Sequence, residues 1–396
     1  MNVRPDLQRM VAESWNVGER HSDVETPEGS LASHGDDDLA AIFFTSGSTG
    51  TPKGVMLSQR NLISNAQSIQ QYLGIQPDDR ALCVLPFHHA FGNSVLQSHL
   101  MAGAQLILDG STSFPQTLVE ALARHECTSL SGVPELFRML LDRSPLGTVP
   151  LPKLRTMAVA GGALPHDLAL EVQRRIAPAE FFVMYGQSEA TARLAFVPPK
   201  HLTEVTDGCI GRAIPGVTLE VVDDAGLAVA AGAVGELRAR GPNIMAGYWR
   251  DPEATRERIR EGWLYTGDLA TVDAQGLICL KGRGNALVKI AGFRAHPADL
   301  ENFAALRLSV RQAVVVPCEA EGLGTRFALF VQASLQADPL TVSEMVARCR
   351  AELPRHLVPE WIEVLEDFPL NPAMKIDRPL LSQWAATAIT QRRIRA

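Results

Sequence analysis

The chain has 396 residues, 46% of them apolar and 20% charged, an ordinary globular composition with length for two to three domains of about 150 residues each. Its 37 basic and 44 acidic residues leave a net charge of −7, which disfavours a nucleic-acid or anionic-membrane surface but not a local basic pocket for phosphates. Collagen-like, coiled-coil and mostly disordered architectures are excluded, and the six cysteines (Cys83, Cys127, Cys209, Cys279, Cys318, Cys349) form no C-x-x-C pair, so they read as buried free thiols of a reducing compartment rather than a disulfide scaffold or zinc site.

In chain order, residues 1–38 are polar, with a short helix expected around Leu7, Met10, Val11 and Trp15. They contain no signal-peptide apolar core. No stretch reaches the roughly 18 apolar residues of a membrane span, so a cytoplasmic protein without membrane insertion is expected. "LAAIFFTSG" from residue 39 is a short apolar run stopped by glycine and predicts a buried strand. "SQRNLISNAQSIQQYLGI" has helical period, with a stop at Gly74. "RALCVLPF" and "AQLILDG" predict buried strands, and "FPQTLVEALARHE" and "PELFRMLLDR" predict helices. "LRTMAVAGGAL" is a strand entering a glycine turn, followed by the helix "PHDLALEVQRRIA" and the strand "EFFVMYG". This alternation predicts a parallel α/β sheet up to about residue 200. Beyond residue 205, "GVTLEVVDDAG", "GELRARG" and "LYTGDLATVDAQGLICLKGRG" predict a β-rich section joined by tight turns. From about residue 285 an α+β pattern follows: helix "HPADLENFAAL", strands "VRQAVVVPC" and "FALFVQASL", helix "VSEMVARCRAEL", then a polar tail. The expected fold class is therefore α/β. A large N-terminal domain (1–284) holds the parallel sheet and the β-rich section, and a small α+β domain (285–396) begins after the "GRGN" turn.

"FFTSGSTGTPKGV" at residues 43–55 is the strongest local signal. Gly47, Gly50 and Gly54 permit positive φ, so backbone N–H groups can converge on an anion. Thr45, Ser46, Ser48 and Thr49 offer hydroxyls, and Lys53 a mobile positive charge. The spacing is not that of a Walker loop.

"TSGSTGTPKG" resembles the phosphate loop of the adenylate-forming superfamily, which includes acyl-CoA synthetases, carrier-protein adenylation domains and luciferases. Further motifs follow in that family's order, so the resemblance covers about residues 39–385. It implies ATP bound by Thr45, Ser46, Gly47, Ser48, Thr49, Gly50 and Lys53. "PFHHAFG" is similar to the motif that places His89 on the carboxylate side. "AGGALP" puts Gly161, Gly162 and Ala163 against the adenine. "YGQSEA" implies Tyr185 and Gly186 at the base, Ser188 on phosphate and Glu189 on Mg²⁺. "YTGDLA" assigns Asp268 to the ribose hydroxyls, "GRGNALVKIAGFR" assigns Arg283 to the ribose with Asn285 as hinge, and "NPAMKIDRPLL" assigns Lys375 to catalysis. Gly292 would line the thiol channel. Taken singly, Asp268 would read as a turn residue, His89 and Lys375 as solvated and Tyr185 as core; their ordered co-occurrence carries the assignment.

The implied chemistry is ATP-dependent activation of a small carboxylic acid as an acyl-adenylate, then transfer to a thiol, either CoA or the phosphopantetheine arm of an acyl carrier protein. Transition-state negative charge at phosphorus calls for cations there. Amino-acid-activating relatives carry an Asp just after the position of His89; Ala90, Phe91, Gly92 and Asn93 stand here. An uncharged acyl substrate is expected, in an apolar pocket of Phe91, Val133, Met184 and Ala190, with Arg193 either facing a second acid group or in a structural ion pair. Three departures from the family stand out. Only 44 residues precede Thr45, so an N-terminally shortened first subdomain is expected, its exposed sheet edge covered by a partner or a second copy. The hinge position carries Asn285, and Met374 stands where glycine usually precedes the lysine. These departures keep a rival open: an inactive ATP-binding partner or regulatory subunit of a biosynthetic complex.

Overall fold

Ser58 and Gly74 delimit the first described helix, as the pattern expects. In the computed structural model of the chain, the Ser58 hydroxyl accepts the Asn61 N–H and the Asn61 side chain accepts the Ser58 N–H at 2.9 Å, capping helix Gln59–Leu73. Gly74 closes it in left-handed backbone at φ 63°, which glycine adopts without a Cβ penalty. The structure describes residues 35–45, 52–109, 114–284, 288–290, 293–320, 324–333, 339–371 and 375–395. The expected helix near residues 7–15, together with Ser46, Gly47, Ser48, Thr49, Gly50, Asn285, Gly292 and Met374, lies outside the described residues.

The run "LAAIFFT" does form a strand, Leu39–Thr45, but not one of the parallel sheet. It pairs antiparallel with Lys53–Ser58, Thr45 opposite Lys53, and Gly247–Tyr248 completes a separate three-stranded sheet. The glycine–hydroxyl loop is thus the connection of a hairpin, with a strand between it and the helix. The strand is also less buried than its composition suggests: Phe43 is buried, whereas Phe44 is 69% exposed.

The main sheet has twelve strands among the described residues. Strands Gln105–Ile107, Arg80–Leu82, Ser129–Gly132, Thr156–Val159 and Glu180–Tyr185 lie side by side and parallel. Helices Pro115–Arg124, Pro134–Arg143 and His166–Ile176 supply crossovers, as parallel neighbours require. From Ala195–Val197 onward every added strand is antiparallel: Cys209–Ala213, Ile278–Arg283, Trp263–Val272, Gly235–Arg240 and Thr218–Val222. The β-rich section therefore extends the same sheet. "AQLILDG" corrects to a short edge strand with Leu108 58% exposed, and "RALCVLPF" to three strand residues. "PFHHAFGNSV" enters a helix the periodicity missed, Ala90–Met101.

Strands Val310–Ala320 and Gly324–Ala333 pair antiparallel, and Trp361–Val364 joins in parallel. Alternation along these strands separates two cores. Val315, Phe327, Leu329 and Val331 face helices Pro297–Arg307 and Val342–Glu352. Val314, Val316, Ala328 and Phe330 face Leu381, Ala385 and Ile389 of helix Arg378–Arg395. The expected polar tail is thus a docked helix, its apolar stripe recurring every fourth residue. Leu381→Ala, at a fully buried position, is expected to cost about 2–5 kcal/mol; an unchanged midpoint in urea denaturation would contradict that docking. Residues 36–396 form one compact unit. No helix among the described residues is long and apolar enough to cross a membrane.

Candidate functional site

Strand Glu180–Tyr185 leaves the sheet at Gly186, where a Cβ would stand 1.8 Å from the Ala192 carbonyl oxygen. No side chain fits, so glycine lets the chain fold back tightly. Ser188–Ala190 make a single 3₁₀ turn, and Thr191 and Ala192 take positive φ of 56° and 97°. Buried asparagines hold this strained turn. The Asn243 amide donates to the Ala190 and Arg193 carbonyls at 3.1 and 2.9 Å, Asn65 donates to Arg193 O at 3.1 Å, and Thr191 donates to Asn243 O at 2.6 Å. Sequence reasoning missed Asn65 and Asn243; nothing local distinguishes an asparagine that braces a remote turn.

Before the turn, the Tyr185 hydroxyl donates to Asp268 Oδ2 at 2.5 Å. Asp268 sits on strand Trp263–Val272 directly opposite Arg283, and Arg283 Nε lies 3.2 Å from Asp268 Oδ1. Asp268 is 6% exposed, whereas the Arg283 side chain reaches solvent. Gly267 at φ 76° and the Asp268 N–H donated to Thr266 Oγ1 set the bend that turns the carboxylate inward. Burial first, then the adjacent Asp268 charge, pushes the Tyr185 phenol well above its ordinary range. Tyr185 and Asp268, expected on separate parts of a nucleotide, bond to each other.

After the turn, Glu189 Oε1 accepts the Tyr248 hydroxyl at 2.8 Å, and Glu189 O accepts the Met245 N–H. Tyr248 belongs to the hairpin sheet, opposite Val55. Lys53 Nζ stands 5.1 Å over the Tyr248 ring and 4.0 Å from Asp251 Oδ2. Lys53, at one end of the loop and opposite Thr45 at the other, therefore meets the Glu189 side of the turn through Tyr248, another residue the motifs did not flag. Ser188 is half-buried in the turn.

Gly161, at φ 91°, lies against Lys375: a Cβ there would be 3.4 Å from Lys375 Cε and 3.8 Å from Nζ. Gly162 rests on Pro134, and Ala163 is exposed. Although Lys375 retains exposed surface, crowding by protein and then the Arg283 charge lower its pKa. His89 caps the start of helix Ala90–Met101 without a side-chain cap bond, its ring 4.3 Å from that of His88. Burial, then His88, then Lys375 lower its pKa, so the neutral imidazole is favoured at neutral pH. The structure thus brings together Lys375, Gly161, Arg283, Asp268 and Tyr185, with His89 within electrostatic reach of Lys375.

One expectation needs correction, the structural ion pair of Arg193. Arg193 is 2% exposed and has no carboxylate partner among the described residues; its guanidinium lies 4.0 Å over the Phe91 ring and donates to Met184 Sδ at 3.4 Å. Phe91 and Met184 share one packing cluster, Val133 belongs to a second and Ala190 to a third. Glu135, in the first turn of Pro134–Arg143, pairs with Arg138 at 3.5 Å.

The fold is a mixed α/β sheet that carries the Tyr185–Asp268–Arg283 group, with Lys375 beside the Gly161 turn. Residues 5–249 match the family described as AMP-binding enzyme, and the chain belongs to it. It is 31% identical over 350 residues to a long-chain-fatty-acid–CoA ligase of Salmonella typhimurium, covering 86% of this chain and 61% of that protein. It is 29% identical to the putative acyl-CoA synthetase YngI of Bacillus subtilis, covering 86% and 62%. Among solved structures it resembles ATP-bound MatB from Rhodopseudomonas palustris, at TM-score 0.77, 29% identity and coverage of 89% and 69%. It also resembles o-succinylbenzoate CoA synthetase (MenE) from Bacillus subtilis in complex with its acyl-adenylate intermediate, at TM-score 0.73, 27% identity and coverage of 88% and 69%. The chain spans about 61% of the length of the first of these relatives.

Proposed function

We propose that the chain activates a carboxylic acid with ATP as its acyl-adenylate and then transfers the acyl group to a thiol. The observation that carries this is the convergence of Lys375 and Arg283 with the buried Asp268–Tyr185 pair beside the Gly161 turn. Asp268, anchored at both oxygens, keeps acceptor capacity for vicinal ribose hydroxyls, since a carboxylate offers about four lone-pair sites. Tyr185 offers a face to the purine. A substrate carboxylate oxygen attacks the α-phosphorus, the bond to pyrophosphate breaks, and Lys375 stabilises the charge that develops. A thiol then attacks the acyl carbon and AMP leaves.

The donors fit a magnesium ion held largely by nucleotide. Glu189 uses Oε1 for Tyr248, and no group of three or more metal-ligating side chains occurs among the described residues; one carboxylate plus phosphates and water is a usual magnesium environment. Bound there, Mg²⁺ would neutralise phosphate charge. The chain's own part is to aim Glu189 through the Tyr248 bond and the asparagine-braced turn.

Domains 1–284 and 285–396 are proposed to rotate about Asn285, exchanging Lys375 for the face near Gly292. Two hydrophobic cores built only from residues 288 onward give this part of the compact unit an interior of its own. Among acceptors, CoA is favoured by the names of the relatives, with a carrier-protein arm as the alternative, and a cytoplasmic setting supplies both. Pyrophosphate exchange across a panel of acids tests the reaction; no exchange with any of them would favour a non-catalytic ATP-binding partner.

The same panel carries a specificity prediction. An uncharged acyl chain should turn over at least about tenfold better than any α-amino acid, because a desolvated ammonium without a carboxylate is costly. No Asp or Glu occurs between Pro86 and Leu100, Glu135 is engaged by Arg138, and the buried Arg193 cation lies over Phe91. An α-amino acid turning over best would contradict this.

A further inference from the structure

Cys209 and Cys279 stand opposite each other on neighbouring antiparallel strands, Cys209–Ala213 and Ile278–Arg283. The Leu280 N–H donates to Gly208 O at 2.8 Å, one step outside the pair. The ladder is therefore regular on that side of the pair and shifts register on the other, between Ile278 and Cys279; a non-hydrogen-bonded position of an antiparallel pair brings opposed Cα atoms to about 4.5 Å. This falls inside the roughly 4.4–6.8 Å window for a disulfide. We propose that Cys209 and Cys279 form a thiol-oxidation site, closing a reversible intramolecular disulfide between these two strands.

The two thiols are chemically unequal. Cys279 is half-buried and Cys209 buried. The neighbouring Cys209 thiol first, then Lys281, lowers the Cys279 pKa against burial and the Asp273 charge. The same contact and burial raise Cys209. Burial instead pushes Cys83 up to about 12 and Cys127, Cys318 and Cys349 up to about 11. Among the six cysteines, only Cys279 combines a lowered pKa, partial exposure and a thiol directly opposite, the arrangement of an attacking thiolate with a resolving partner.

The oxidant is a peroxide. The Cys279 thiolate attacks a peroxide oxygen, the O–O bond breaks, and a sulfenic acid and hydroxide result. The Cys209 sulfur then attacks the sulfenic sulfur, the S–O bond breaks, and water leaves with the thiol proton. Two thiols lose two electrons in all, and hydrogen peroxide is reduced to two waters. The bond would tie the strand to its neighbour four residues before Arg283.

The test treats the whole protein with hydrogen peroxide, alkylates remaining thiols and maps peptides without reduction. The expected product is a Cys209–Cys279 linked pair lacking two hydrogens, opened by dithiothreitol, with Cys83, Cys127, Cys318 and Cys349 still alkylated. In Cys279→Ser, Cys209 should remain reduced and alkylated after the same treatment. Wild-type protein with both thiols still free, a stable sulfinic acid at Cys279, an intermolecular link, or Cys209 oxidised as fast in Cys279→Ser would each overturn the proposal.

Discussion

Lys375→Ala is expected to lower adenylate formation by about 10²-fold or more, close to 2.7 kcal/mol of transition-state stabilisation. The ammonium sits against Gly161, where even a Cβ would lie within 3.8 Å of Nζ, and Arg283 lies near enough to lower its pKa. Both cations therefore face one region, where a pentavalent phosphorus would gather negative charge. Thioester formation from supplied acyl-adenylate should survive, because attack there falls on the acyl carbon and no pentavalent phosphorus has to be stabilised. The measurement is pyrophosphate exchange beside single-turnover thioester formation; equal losses in both would count against the rotating domain. The sign of the pH dependence follows from the lowered pKa. The working form is the cation, so exchange should fall as pH rises through a value below the ordinary lysine pKa of about 10.4. Lys375→Arg, if it retains activity, should lose that alkaline limb, because guanidinium stays charged past about pH 12.

Asp268→Asn should weaken ATP binding at least about tenfold, or about 1.4 kcal/mol, while the protein stays folded. The amide can still accept from Tyr185 through one oxygen. It cannot hold Arg283 as a charge partner, nor accept from two ribose hydroxyls with two oxygens. Asp268→Ala goes further, leaving the enclosed Tyr185 hydroxyl without its acceptor, and should cost about 1–3 kcal/mol in stability. Calorimetric titration with ATP, read beside a urea midpoint for each variant, separates the two effects. Unchanged affinity in Asp268→Asn would remove this carboxylate from the nucleotide site.

Local pattern carried most of the helices. Ser58 and Gly74 bracket a helix because a hydroxyl acceptor and a positive-φ glycine act within a few residues of the backbone they satisfy. The same locality explains three errors. "LAAIFFT" reads as a buried strand by composition, yet it pairs in a hairpin with Phe44 outward. Helix Ala90–Met101 mixes apolar and small polar residues all round, so no stripe announced it. The terminal helix does have its stripe at Leu381, Ala385 and Ile389, but charged neighbours diluted it to a polar average.

By itself the sequence determined the alternation of strands and helices and the order of the motifs. Each depends on spacing along the chain, which periodicity records directly. Only the tertiary structure decided which residues meet. Tyr185 reaches Asp268 across 83 positions, and Lys375 reaches Gly161 from the far end of the chain. Asn243 braces a turn 50 residues upstream, and Arg193 finds an aromatic face where a carboxylate was expected. Such contacts are set by sheet order and register, which bring distant segments together once burial of the cores offsets the chain entropy lost in closing the loops between them.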